Sequence, residues 1–245
     1  MDKERLIQYD WLSKNHWWIT SKYKLLRDLM THNIPKSVKL TRMLDIGCAT
    51  GIFLGHIKDT VKDQFGMDLN QEILYYMQDS HVPVVASNAK ALPFKNETFS
   101  FISAIDILEH VDDDVKVLEE CNRVLGLNGW LLISVPAFRV LFGKHDECFG
   151  HYRRYSRREM VQKLRSSGFR VEKATYVQPF FFVPLLLKRR LFPPKDSLFG
   201  DFGRPNPIVN RILHNLLSSE RYFVRYFNFP IGSTLFVLAS KGSDS

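Results

Sequence analysis

Residues 43–53 read Met-Leu-Asp-Ile-Gly-Cys-Ala-Thr-Gly-Ile-Phe, and this run constrains the fold more than any other part of the chain. The apolar stretch at 43–47 predicts a buried strand. From Gly47 to Gly51 small residues let the backbone bend and come close to a ligand. A helix starting near Gly51 then points its N-terminal amides into the same space. Asp45 sits near the end of this strand, and a second acid, Asp68, ends the next one 23 residues later. That interval suits a carboxylate that holds a ribose diol.

The rest of the sequence continues the alternation. Apolar residues at Ile19, Tyr23, Leu26 and Met30, with Leu25 and Leu29 alongside, mark one face of a helix over 18–30, before the breaker Pro35. Strands are predicted at 64–68, 82–87, 99–106 and 130–136. Between them, Asn70 is a cap for a helix over 71–78. Asp112 or Asp113 caps another, with Val115, Leu118, Cys121 and Leu125 on one face, which stops at Leu127-Asn128-Gly129. Ser156 and Glu159 form a capping-box pattern for a helix that Gly168 ends. Further strands are expected at 169–177 and 233–240. Strands alternating with helices predict an α/β, Rossmann-like, doubly wound sheet of seven strands, mostly parallel, with an antiparallel last strand and helices on both faces. The expected organisation is one domain over 1–245, with an N-terminal helical cap at 1–35. Residues 178–231 are an insertion between the last two strands, helical and aromatic in character and too long for a simple connection.

Composition bounds the setting. The chain is 45% hydrophobic and 24% charged, as in a folded soluble protein. Cys48, Cys121 and Cys148 are too few and too scattered for a disulfide framework. The first ten residues lack the apolar core of a secretory signal, and no window reaches the ~18 apolar residues of a membrane span. A cytoplasmic protein is expected. The net charge of +8 is uneven: residues 151–245 hold 17 basic and 6 acidic side chains, so the first 150 carry a small negative excess. The basic back half invites an anionic partner.

Two cofactor classes use a turn of this kind. A dinucleotide site prefers G-x-G-x-x-G, but Ala49 and Ile52 stand where its second and third glycines belong, and Asp45 would repel a pyrophosphate. An acid there suits the cationic amino group of a methionine moiety. The segment LDIGCATG resembles the LDIGCGTG of the class I S-adenosylmethionine-dependent methyltransferases, of the type 11/12-like subgroup. FGMDLN at 65–70 resembles the family's second motif, SNAKALPFKNETFSFI at 87–102 its third, and SAIDILEHVDDD at 103–114 the segment after its fourth strand. RVLGLNGWLLISVP at 123–136 is similar to its helix, turn and fifth strand. The resemblance implies S-adenosylmethionine as cofactor. The residues it implies are Asp45, Gly47, Cys48, Ala49 and Gly51 in the loop, Asp68 and Leu69 at the ribose, Asn88 and Ala89 at the adenine, and Asp106 beside the methionine part. Asn88 stands where the family often has an aspartate.

Methyl transfer from a sulfonium is an in-line displacement, catalysed chiefly by positioning. A base is needed only for a protonated acceptor. His110 follows the fourth strand and is the candidate base. The run 142–160, FGKHDECFGHYRRYSRREM, resembles the H-D-x-x-x-G-H-x-R-R-Y stretch of a methyltransferase subgroup, which implies that His145, His151 and Tyr155 are catalytic candidates. Arg153 and Arg154 are candidates for a substrate carboxylate or phosphate. The run has no familiar zinc spacing, and no metal is expected. His16-Trp17-Trp18 resembles an aromatic element of the same subgroup, making Trp17 and Trp18 candidates for substrate contact.

In the insertion, Phe180, Phe181, Phe182, Leu185, Leu186 and Leu187 precede Lys188-Arg189-Arg190. Arg204, Arg211, Arg221 and Arg225 follow. The pattern fits an interfacial anchor on an anionic membrane, a cap over an apolar acceptor, or packing with solvated arginines. No nucleic-acid module accompanies it, so nucleic acid is disfavoured as a partner. The expected function is methyl transfer to a small-molecule or lipid-linked acceptor. The alternative is a non-catalytic, membrane-associated binding protein on the same fold. The sequence leaves open the acceptor, the atom methylated and the oligomeric state.

Overall fold

The computed structural model describes residues 3–77, 80–191 and 205–242. Residues 192–194 of the aromatic run, and Arg204, lie outside the described residues. The chain opens with helices α1 (Lys3–Asn15) and α2 (Trp17–Asn33). Strands β1 (Arg42–Ile46), β2 (Asp63–Asp68), β3 (Val84–Ala86), β4 (Phe99–Ile105) and β5 (Leu125–Pro136) follow. They alternate with α3 (Ile52–Ile57), α4 (Gln71–Met77) and α5 (Asp114–Val124). Then come α6 (Lys144–Cys148), α7 (Arg157–Ser166), β6 (Phe169–Val177), α8 (Phe182–Leu191), α9 (Pro207–Val224) and β7 (Thr234–Lys241).

The strands form one sheet in the order β3-β2-β1-β4-β5-β7-β6. β1 to β5 are parallel, whereas β7 runs antiparallel to both of its neighbours. The order reverses between β1 and β4, where α/β sheets bind ligands beyond the carboxyl ends of the strands.

Strand side chains alternate between two apolar layers. Leu44, Ile46, Ile102, Leu131, Ile133 and Val237 share one core with Val117, Leu118 and Cys121 of α5 and with Met160 and Leu164 of α7. Met43, Phe101, Leu132 and Phe236 point the other way, onto Leu25, Leu26, Leu29 and Met30 of α2 and Phe53, Leu54 and Ile57 of α3. The apolar face expected over 18–30 is therefore the α2 surface that covers the sheet.

Caps were legible. Asn70 Oδ1 accepts from Glu72 N at 3.1 Å, Asp113 Oδ1 from Lys116 N at 3.1 Å, and Ser156 Oγ from Glu159 N at 3.2 Å. The N-terminal segment is two helices, not one. His16 caps α2, its Nδ1 accepting from Trp18 N at 3.3 Å. The expected turn at 127–129 is an excursion inside β5: Leu125 pairs with Phe99 and Trp130 with Phe101, while Asn128 takes a φ of 62°. β3 is shorter than expected, confined to three residues at the sheet's edge.

The described parts of 178–231 lie against the other end of the chain. α9 lies on α2, where Asn210 Oδ1 accepts from Trp17 N at 2.9 Å and Arg221 meets Asp28 at 3.0 Å. The junction of β6 with this segment is tied by Gln178, whose N–H donates to Glu220 Oε1 at 2.6 Å. Its side-chain oxygen accepts from Ser233 and Thr234. At the return into β7, a Cβ on Gly232 would lie 2.2 Å from the Val177 carbonyl oxygen. The obstacle is backbone, so nothing flexible can yield. Gly232→Ala is expected to destabilise the protein by about 1–3 kcal/mol, read as a lower midpoint in urea; an unchanged midpoint would contradict this packing.

Candidate active site

The small-residue turn behaves as its sequence requires. Gly47 and Gly51 take φ of 71°, and Ala49, where a third glycine would be easy, takes 44°. Gly47 N and Cys48 N both donate to Met67 O, at 2.7 and 3.0 Å, which ties the turn to the end of β2. The Asp68 carboxylate closes the arrangement: one oxygen accepts from Ala49 N at 3.1 Å, the other from Asn70 N at 3.0 Å. Leu69 beside it is 72% exposed. Asn88 lies past β3, its side-chain oxygen accepting from Lys90 N at 2.9 Å, and Ala89 is buried next to it.

Three acids thus stand at the carboxyl ends of three adjacent strands. Asp45 is buried on β1 opposite Ser103 of β4, whose hydroxyl donates to it at 2.6 Å. Burial pushes the Asp45 carboxyl up to about 7; the Ser103 bond opposes this, and the Asp68 charge adds to it. Burial and the same two acids also push the Cys48 thiol up, so it is no nucleophile. Asp106, just after β4, takes a φ of 52° and donates its N–H to Ser134 O at 2.7 Å. Its two oxygens meet Lys22 Nζ of α2, one of them at 2.6 Å. Ser134 Oγ and Thr50 Oγ1 are buried at this edge without hydrogen-bond partners.

Beyond Asp106 the chain makes a single 3-10 turn, Leu108–His110. His110 and His151 stand edge to face with ring centroids 4.6 Å apart. Burial, then the neighbouring His151, lowers the pKa of His110, so its imidazole is neutral at pH 7. Asp146 of α6 organises the approach. His151 Nδ1 lies 2.8 Å from Asp146 Oδ1, Arg154 contacts the same oxygen at 2.8–2.9 Å, and Arg189 of α8 meets Oδ2 at 2.9 Å. Burial opposes ionisation, but these donors hold the Asp146 carboxyl well below the usual carboxylate range.

The structure brings His110 and His151 together, with the His145 ring centroid 6.4 Å from that of His151. It does not bring Tyr155 there. That side chain is fully buried and its hydroxyl donates to Asp114 at 2.8 Å, so it anchors α7 to α5. Arg154 is likewise interior, clamping Asp146 and the Ala137 carbonyl. Arg153 donates to the Asp112 carbonyl at 2.6 Å on the surface. Trp17 is 1% exposed against Phe181, and Trp18 is half-buried beside it.

The sequence and the fold have known counterparts. Residues 44–133 match the family model of a methyltransferase domain. The chain is 26% identical over 135 residues to a protein of Mycolicibacterium smegmatis named as a probable S-adenosylmethionine-dependent methyltransferase. The aligned part covers 53% of this chain and 52% of that one. Residues 44–133 thus carry a methyltransferase domain similar to that of S-adenosylmethionine-dependent methyltransferases. An uncharacterized protein of Methanocaldococcus jannaschii is 28% identical over 176 residues, covering 69% of this chain and 80% of that one. A solved methyltransferase of Archaeoglobus fulgidus shares the fold, with a TM-score of 0.60 at 17% identity over 96% of this chain and 99% of that one. S-adenosylmethionine is the cofactor of this methyltransferase family. The residues fit it. Three carboxylates at one sheet edge suit a sulfonium, an ammonium and a ribose diol, and the orphaned Thr50 hydroxyl offers a further donor.

Asp45 makes a pH prediction. Its carboxyl keeps a proton in the folded chain up to about 7 but loses it near 3.8 once unfolded. The folded state therefore binds more protons across that window, and cofactor-free stability falls as pH rises from about 4 to 7, at about 1.4 kcal/mol per pH unit. Glu220, which burial pushes up to about 7, adds a slope of the same sign. Glu109, whose carboxyl burial also pushes well above the usual range, adds to it. Asp45→Asn is expected to remove only its own share of the combined fall in thermal midpoint; a variant with the parental slope would contradict the assignment.

Proposed function

We propose that the protein transfers the methyl group of S-adenosylmethionine to a small-molecule or lipid-linked acceptor. The observation that carries this reading is the alignment along one sheet edge of Asp68, Asp45 and Asp106 with the neutral His110 beyond them. S-adenosylmethionine, when bound, supplies a methyl group on a sulfonium, ready for in-line displacement. Asp68 holds the ribose hydroxyls, and Leu69 and Ala89 give apolar contact to the adenine, with Asn88 accepting from its amino group. Gly47, Cys48, Ala49 and Gly51 let the backbone approach. Asp45 balances the cationic amino acid part, and Asp106, steadied by Lys22, borders it. His110 faces the acceptor and, for a hydroxyl acceptor, takes its proton. His151 and His145 complete that wall, with Trp17 and Trp18 behind the entrance. Arg153 and Arg154 serve the acceptor loop chiefly by holding it in place.

A lipid-linked acceptor draws support from the insertion. On α8, Phe180 just before it and Val183, Leu187 and Leu191 along it are exposed at gaps of three and four, with Arg190 exposed beside them. On α9, Ile208, Ile212 and Leu216 are exposed alongside Arg211. Apolar side chains with cations between them suit an anionic membrane surface. Among the described residues no helix is long and apolar enough to cross a membrane, so the contact proposed is peripheral.

Two measurements test these readings. Asp68→Ala is expected to weaken calorimetric binding of S-adenosylhomocysteine by roughly 100-fold or more, since two hydrogen bonds to a charged acceptor are lost; unchanged affinity refutes the ribose assignment. In sedimentation assays the protein is expected to travel with anionic vesicles, less so as salt rises. Equally poor binding to neutral and anionic vesicles would remove the membrane from the account.

A further inference from the structure

Glu109, His110 and His151 converge next to Asp106. One donor atom from each lies within 4.8 Å of the other two. The 142–160 loop is fixed against the 3-10 turn by Tyr152 N, which donates to the Glu109 carbonyl at 2.7 Å. Each of the three side chains is prepared to be a ligand. Glu109 is 1% exposed, and its Oε2 has no hydrogen-bond partner, which leaves a buried acceptor oxygen available to a ligand. His151 Nδ1 lies 2.8 Å from the ionised Asp146 carboxylate. That contact makes Nδ1 the donor and leaves the lone pair on Nε2. His110 hydrogen-bonds the Phe149 backbone, so one ring nitrogen is spent and the other carries its lone pair.

A carboxylate gripping the far nitrogen of an imidazole is the usual outer support of a metal-bound histidine. Two imidazole nitrogens and one carboxylate oxygen, with a fourth position left open, is a donor set that zinc accepts in catalytic sites. We propose that Glu109, His110 and His151 bind one divalent transition-metal ion of the zinc class, with Asp146 orienting His151. No zinc spacing announces the site, because two ligands are adjacent after β4 and the third comes from a separate loop. Next to Asp106, such an ion would draw in an acceptor oxygen and lower its pKa. This role, which would replace direct proton acceptance by His110, rests on the methyl-transfer reading; the binding of the ion does not.

The test is a titration of the full chain with Co2+, followed by its visible absorption, and with Zn2+ by calorimetry. S-adenosylhomocysteine affinity is measured separately on every variant. One ion per chain is expected to bind. His110→Gln and His151→Gln should each abolish that binding while S-adenosylhomocysteine still binds, which also certifies the fold. Asp146→Asn should weaken the ion by about 10- to 100-fold. Cys148→Ser, which removes the exposed thiol of α6, should leave it unchanged. The proposal is overturned if no stoichiometric ion binds, if binding survives both histidine substitutions, or if it depends on Cys148. A failure of S-adenosylhomocysteine to bind the unaltered chain would instead count against the methyl-transfer reading alone.

Discussion

Three carboxylates held side by side repel one another, and the architecture around this sheet edge is organised to tolerate that. Asp45, Asp68 and Asp106 end β1 and β2 or follow β4, strands whose parallel register leaves their acids no freedom to diverge. Each has its own compensation. Ser103 donates to Asp45, the amides of Ala49 and Asn70 to Asp68, and Lys22 pairs with Asp106. The compensation is incomplete at Asp45, whose carboxyl retains a proton to about 7. A cationic ligand would complete it, and in the proposed reading that ligand is a sulfonium with its ammonium rather than a pyrophosphate.

The charge division of the chain takes a different meaning in the folded molecule. Part of the basic excess of residues 151–245 is turned inward. Arg154 and Arg189 converge on Asp146, Arg221 reaches Asp28, and Lys163 meets Asp114 at 2.6 Å. The insertion is thus joined to the 142–160 loop through Arg189 and to the N-terminal helices through α9. What remains for an external anionic surface is a smaller set, including Arg190 and Arg211, set among exposed apolar side chains.

The fold was legible because it is written in local signals: apolar runs of strand length, small residues at the β1 turn, and caps at Asn70, Asp113 and Ser156. The turn after β1 was legible for the same reason, since Gly47, Gly51 and Asp68 take their places through backbone conformation and strand position. The acceptor side was less so. Lys22 looked like any solvated helix lysine, yet α2 carries it to Asp106, 84 residues away. Asp146 sat among several polar neighbours, and only the tertiary meeting with Arg154, Arg189 and His151 distinguishes it. Tyr155 stood in a motif with catalytic candidates but belongs to the core, because the pairing of Tyr155 with Ala137 turns its ring inward. Glu109 was hidden inside a motif segment; its burial followed from the 3-10 turn, which periodicity does not announce.

We infer that this edge is built for a sulfonium nucleoside and not for a dinucleotide. Calorimetric titration of the purified chain with S-adenosylhomocysteine and, separately, with NADH tests it most directly. One-to-one binding of S-adenosylhomocysteine is expected, which NADH neither matches nor displaces. Saturable binding of NADH, with S-adenosylhomocysteine silent, would contradict it.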